Sequence, residues 1–168
     1  MNYRNIFNKS LLPSLISALI LPVCAVSAYG ATAIEEIVVT ARKRQESIQD
    51  VPVAVSAITP GQIERGSITS SLDLGKIVPN VELHETVIGS ESLSASIRGM
   101  SYDDIEKSIE PTVGVAIDGV FMASNSGGVF DLFDVASVEV LRGPQGTLFG
   151  RNTIGGVISV NRTEPTGE

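Results

Sequence analysis

The 168-residue chain predicts an α+β fold, a small mixed β-sheet with short helices and long loops. Three features carry that expectation. Several short segments alternate apolar residues with small or polar ones, as half-buried strands do. Two of the stretches between them carry helix-capping residues. An Asp-Gly pair between two apolar runs marks a tight hairpin. Strand and helix signals intermix along the chain, which favours one small α+β domain.

The N-terminus comes first. Arg4 and Lys9 precede "LLPSLISALILPVCAVSA", Leu11 to Ala28, an uncharged apolar run. This is the pattern of a secretory signal peptide, residues 1–28, with cleavage expected after Ala28 and Ala33 as the second choice. Pro13 and Pro22 interrupt the run and weigh against a retained membrane anchor, while bulky Val23 before Cys24 weighs against a lipoprotein. Removal of this segment leaves 140 residues and takes away Cys24, the only cysteine. The exported part then has no disulfide, thiol nucleophile or thiolate ligand. Twelve basic residues less Arg4 and Lys9 leave ten against nineteen acidic ones, a net charge of −9. A field of that sign argues against nucleic acid as a partner.

Residues 29–50 are expected to be a flexible segment. Within it "EIVVTA" (Glu36, Ile37, Val38, Val39, Thr40 and Ala41) has four β-branched residues in a row and accepts an extended conformation. Two readings stay open: a tether whose tip pairs with a partner's sheet edge, or the first strand of the domain's own sheet. The basic trio Arg42 to Arg44 reads as a solvated charge run.

The domain proper is expected over residues 51–162. "VPVAVSAI" from Val51 alternates as a strand, with Pro52 at its start or on a sheet edge. Thr59 then caps a helix with Pro60 at its first position, Gln62 three residues after the cap and Gly66 as the stop. A second short helix begins at Ser70, with Asp73 three residues on, and ends before Pro79. "NVELHETV" and "ESLSASIR" alternate as strands, the latter ended by Gly99. "MSYDDIEKSIEP" is a polar loop. In "VGVAIDGVFMA", Asp118 and Gly119 supply the positive φ angles of a type I′ hairpin turn. "VFDLFDVASVEVLRG" suggests a turn of helix before the strand "SVEVL", and "GVISVNR" is the last strand.

Chemistry is sparse. The carboxylates Asp103, Asp104, Glu106 and Glu110 lack the spacing and central glycine of a calcium loop. "LRGPQGTLFGRNTIGG" lacks the lysine and hydroxyl of a phosphate loop and has no dinucleotide fingerprint, which leaves its glycines a backbone role. The single histidine, His84, sits beside Glu82 and Glu85 with no serine motif to partner it. No enzyme, metal or cofactor is expected.

Taken together, "EIVVTA", "SIRG" (Ser96 to Gly99), "VAIDGV" (Val115 to Val120) and "DVASVEVLRGPQGTLFGRNTIGGVISV" (Asp134 to Val160) resemble the N-terminal plug region of TonB-dependent outer-membrane receptors. Ala116 departs from the aromatic residue common before Ile-Asp-Gly in that family. The resemblance implies a plug lodged in a 22-stranded barrel that imports a small-molecule ligand such as a ferric siderophore. It implies that Glu36 to Ala41 match the TonB box and pair with the C-terminal periplasmic domain of TonB. It also implies that Arg98 with Gly99 and Arg142 with Gly143 dock against the barrel wall, as arginines before glycine do in the family, together with Gly150 and Arg151. The ligand itself is not legible, because the selective loops belong to the barrel. The eight residues after Val160 hold no membrane strands, so the expectation is either a fragment of a receptor, with residues 163–168 a truncated plug-to-barrel linker, or a free periplasmic plug that engages TonB without transport. The outer membrane is the expected place for the first and the periplasm for the second.

Overall fold

The computed structural model describes residues 36–40, 42–87, 91–101, 110–122 and 124–167. The signal-peptide region, Ala41 and the acidic residues Asp103, Asp104 and Glu106 lie outside them. Among the described residues no helix is long and apolar enough to cross a membrane, which says nothing of strands.

Among the described residues nine short strands and three short α-helices follow one another. β1 (Val38–Val39) and β2 (Glu46–Ser47) form an antiparallel ribbon. Five strands build the main sheet: β3 (Ala54–Ile58), β6 (Val113–Ile117), β7 (Val120–Met122), β8 (Val135–Arg142) and β9 (Gly156–Arg162), in the order β3-β8-β9-β6-β7. β6 and β9 run parallel and every other pair is antiparallel, so the sheet is mixed as expected. β4 (Val81–Glu85) and β5 (Leu93–Ile97) make a separate antiparallel pair.

The helices follow their capping chemistry. In α1 (Pro60–Arg65) the Gln62 side chain reaches back to accept the Thr59 N–H at 2.9 Å, and the Gly66 N–H closes onto the Gln62 carbonyl. A 3₁₀ turn, Ser71–Asp73, leads into α2 (Leu74–Ile77); Asp73 Oδ2 accepts the Ser70 N–H at 3.1 Å. Its carboxyl is held well below the usual range by the Lys76 ammonium and the Thr69 and Ser70 amides. β3 starts two residues after Pro52, on the edge of the sheet, where a missing amide donor costs least. The hairpin turn lies at Asp118 (φ 49°) and Gly119 (φ 78°).

One expectation fails. The stretch before β8 contains no helical turn: Phe130 and Leu132 are extended, with the Phe130 carbonyl accepting from Ser71 N–H and the Leu132 N–H donating to the Thr69 carbonyl. The segment entering the second helix therefore satisfies backbone groups that a local turn would otherwise have used.

Both faces of the sheet are covered. Alternation in β8 and β9 sends Val138, Val140, Ile158 and Val160 to one face, where Ile63, Leu74, Val81 and Ile97 from the helices and the β4–β5 pair complete a core. It sends Leu141 and Val157 to the other, where Val39, Val51 and Ala116 join them. Gly156 (φ 152°) opens β9 beneath this packing. A Cβ there would collide with the Leu141 carbonyl and lie 2.8 Å from Ile97 Cδ1. Gly156→Ala is expected to cost about 3 kcal/mol through overpacking and backbone strain, read as a lowered urea midpoint with an unchanged slope.

Candidate functional site

The N-terminal segment forms the second cover. Of the two readings open for "EIVVTA", the structure matches neither in full: the segment is docked within the domain, but β1 pairs with β2 in its own ribbon and is not a strand of the main sheet. Val38 pairs with Ser47 and Val39 with Glu46, and Val39 is 1% exposed while Val38 is 53% exposed. The Ile37 carbonyl accepts from Ile48 N–H (3.0 Å) and the Thr40 carbonyl from Lys43 N–H (2.8 Å). The basic trio turns out to be engaged. Arg42 and Arg44 both ion-pair with Glu46, and the Lys43 ammonium stands 5.3 Å from the centre of the Phe149 ring in α3 (Gly146–Phe149).

Beyond Val39 the contact becomes polar. Glu139 occupies the same face of β8 as Leu141, opposite Ala57 of β3 and Ser159 of β9, and is 1% exposed. Its Oε1 accepts from the Thr40 N–H at 2.7 Å, the Thr40 hydroxyl at 3.0 Å and Asn161 Nδ2 at 3.2 Å. Asn161 also donates to Thr40 Oγ1 (3.1 Å) and Ser137 Oγ (3.0 Å). Among the described residues Glu139 Oε2 meets no donor. Burial raises the Glu139 carboxyl above its ordinary 4.5, against the opposing pull of Thr40 and Asn161. The sequence reading passed over Glu139 and Asn161. The available signal was a carboxylate in the middle of a strand whose neighbours on both faces are apolar.

The arginines form a second group. Arg98 (φ 55°) and Gly99 (φ 75°) are the tip of a tight turn closed by two bonds between Ile97 and Met100. A side chain held in this region costs about 1 kcal/mol or more. The Arg98 N–H donates to the Asn80 carbonyl (2.9 Å), and Arg142 Nη2 donates to the neighbouring Pro79 carbonyl (3.3 Å). The Arg98 charge lies near enough to act on the Arg142 guanidinium. Burial, with the Arg98 charge adding to it, lowers the Arg142 pKa. Among the described residues neither has a carboxylate partner. Arg151 differs, for it is paired with Glu110 inside the domain. Arg162 is likewise satisfied by Asp118, whose carboxyl is held below the usual range by the Arg162 amide and guanidinium. Gly143 (φ 89°) and Gly150 (φ 85°) flank the short helix α3, with open space where a Cβ would stand.

No arrangement here resembles catalytic machinery. His84 is exposed on β4, and among the described residues no three His, Cys, Asp or Glu side chains converge on a metal position.

Against known proteins, residues 47–157 match the family model of the TonB-dependent receptor plug domain. The vitamin B12 transporter BtuB of Vibrio vulnificus is 29% identical over 152 residues, 90% of this chain and 24% of that protein. The pesticin receptor of Yersinia pestis is 31% identical over 157 residues, 92% of this chain and 23% of that one. Among solved structures, the ferric yersiniabactin uptake receptor FyuA of Yersinia pestis superposes with a TM-score of 0.60 at 29% identity, over 67% of this chain and 17% of its own. The chain spans about a quarter of the length of the curated relatives it matches. These relatives are transporters and receptors, not enzymes.

A raised carboxyl pKa fixes the sign of a pH effect. Glu139 binds its proton more tightly in the folded chain, so its contribution to stability is fully present below pH 4.5 and is lost as pH rises through the raised value. Glu139→Gln does not titrate. Measured by denaturant unfolding, wild type should lose stability relative to this variant on going up through that window, with a slope of at most about 1.4 kcal/mol per pH unit.

Proposed function

The chain belongs to the family of TonB-dependent receptor plug domains, and we propose that it acts as the plug of an outer-membrane receptor for energy-coupled uptake of a scarce ligand, such as an iron–siderophore complex. The observation that carries this reading is the plug match over residues 47–157, combined with the mixed sheet of the same chain. The names of its relatives, which concern vitamin B12, pesticin and ferric yersiniabactin, support a ligand of that general kind.

In this reading Glu36 to Ala41 are the strand that pairs with the C-terminal periplasmic domain of TonB. Backbone hydrogen bonds supply most of the affinity in such strand addition. Tension on the strand would then act on the sheet through the segment leading to β3.

The surrounding barrel takes the other group of residues. Arg98 and Arg142, gathered beside Pro79 and Asn80, need an anion to offset their mutual repulsion. Acidic side chains on a barrel wall would supply it through charge-assisted hydrogen bonds. Gly99 and Gly143 let the wall approach, and Gly150 does the same next to Arg151, whose pairing with Glu110 leaves it a smaller part in docking.

Two substitutions test these roles. Val38→Pro removes an amide donor and disrupts extended pairing, so pull-down by the periplasmic domain of TonB should be abolished; undiminished capture rejects the pairing role. Arg142→Ala should change the stability of this chain alone by no more than about 0.5 kcal/mol. With a receptor barrel around it, the loss should reach about 3 kcal/mol, the scale of leaving a buried charge unpaired. Equal losses in the two settings would place the arginine's partner within the domain.

A further inference from the structure

We infer that Asp118–Gly119 is a site of spontaneous main-chain rearrangement to isoaspartate, and that the Arg162 guanidinium keeps it unreactive while the end of β9 stays beside the β6–β7 turn. The inference goes beyond the plug reading and does not depend on it.

The reaction needs nothing from outside but water. The Gly119 amide nitrogen attacks Cγ of Asp118, and a C–N bond forms. The carboxyl OH leaves as water with the amide proton, which closes a five-membered succinimide ring. Water then adds to one of the two ring carbonyls and breaks its C–N bond. Cleavage at Cγ restores aspartate, whereas cleavage at the α-carbonyl leaves isoaspartate, with the main chain rerouted through Cβ and Cγ.

Three observations place that chemistry here. The first is the pair itself. Glycine has no Cβ to shield its nitrogen, and Asp-Gly occurs once in the chain and Asn-Gly not at all. The second is access. Asp118 and Gly119 are exposed at the tip of the hairpin, and Asp118 and Arg162 line an open cavity of about 570 Å³ with Asp134 and Glu164, so water reaches the pair. The third is the restraint. Asp118 Oδ1 accepts the Arg162 main-chain N–H (2.8 Å), while Nε and Nη2 of the guanidinium both stand 2.6 Å from Oδ2. Attack proceeds on the protonated carboxyl, from which OH can leave; a carboxylate bound at both oxygens is a poor electrophile. The Arg162 amide and guanidinium hold this carboxyl below the usual range and so in the unreactive form. The Asp118 N–H also donates to the Val160 carbonyl (2.9 Å), which ties the turn's main chain to β9.

Rearrangement would insert a methylene into the main chain of a two-residue turn. The pairing of Ile117 with Val120 then loses its register, and Arg162 loses its acceptor. Arg162 is thus a positioning residue that acts through Asp118.

The test follows isoaspartate at position 118 while the full chain is kept for weeks in warm neutral buffer. Electron-transfer fragmentation of the tryptic peptide locates the product at that residue, apart from any formed at Asn125. Folded Arg162→Ala should form it at least about tenfold faster than folded wild type, the scale of losing a hydrogen bond to a charged group. Arg162→Lys returns a cation to Oδ2 and should lie between the two; it also carries the comparison should Arg162→Ala fail to fold. Unfolded in guanidinium chloride, all three should react at one rate, faster than folded wild type. Lys76→Ala removes the Asp73–Lys76 ion pair and should match wild type. Asp118→Glu, which would need a six-membered ring, should give no product there. Equal rates for the folded arginine variants and wild type overturn the restraint, as does an equal rise in Lys76→Ala. Reaction no faster in the unfolded chain, or product in Asp118→Glu, overturns the site.

Discussion

The β8–β9 ladder is the constraint from which the rest of the domain follows. It runs from Val135 opposite Arg162 to Arg142 opposite Gly156, and its residues are buried on both faces through the middle. A sheet buried on both sides needs two covers. One cover is built by α1, α2 and the β4–β5 pair around a fully apolar patch. The other is supplied by the chain leading into β3, and it meets a face that changes from apolar at Leu141 and Val157 to polar at Glu139, Ser137 and Asn161. The first cover is bound mainly by apolar contact, with one hydrogen bond from the Arg142 guanidinium of β8 to the Pro79 carbonyl. The second is partly held by hydrogen bonds to one carboxylate, so the two differ in how they are held.

The local features were legible in the sequence because their causes are local. Asp118-Gly119 makes its own hairpin, Thr59 and Gln62 start their own helix, and the alternation of β8 and β9 shows which residues share a face. What could not be read depends on distant partners. The turn of helix expected before β8 gave way to an extended segment because Ser71 and Thr69 offer bonds to Phe130 and Leu132. The parallel pairing of β6 with β9 follows no local signal either. "EIVVTA" carried strand propensity, but nothing within it distinguishes a free tether from a docked strand; Thr40 is fixed by Glu139 and Asn161 far along the chain.

The candidate site shows the same division. The motif "RG" groups Arg98 with Arg142, but their neighbourhood in space depends on Pro79 and Asn80, whose carbonyls accept from the Arg142 guanidinium and the Arg98 main-chain N–H. Arg151, which follows a glycine instead of preceding one, already has Glu110. An arginine with an internal carboxylate has little electrostatic reason to seek another, whereas the Arg98 charge acts unfavourably on Arg142 and among the described residues neither has a carboxylate partner. The proposed docking seam therefore rests on the first two far more than on the third, and strain at Arg98 (φ 55°) points the same way, since a tight turn of that kind would relax to glycine if only the backbone mattered.

A purely apolar second cover would bind more tightly, because burying a carboxylate with one oxygen unmatched works against folding. An apolar seam would favour the docked state by an amount proportional to area. A few hydrogen bonds converging on Oε1 act over a short range and fasten Thr40 at one point. The N-terminal strand is thus placed by Glu139 and Asn161 more than it is held by them, and the sheet behind it retains its apolar packing on the opposite face.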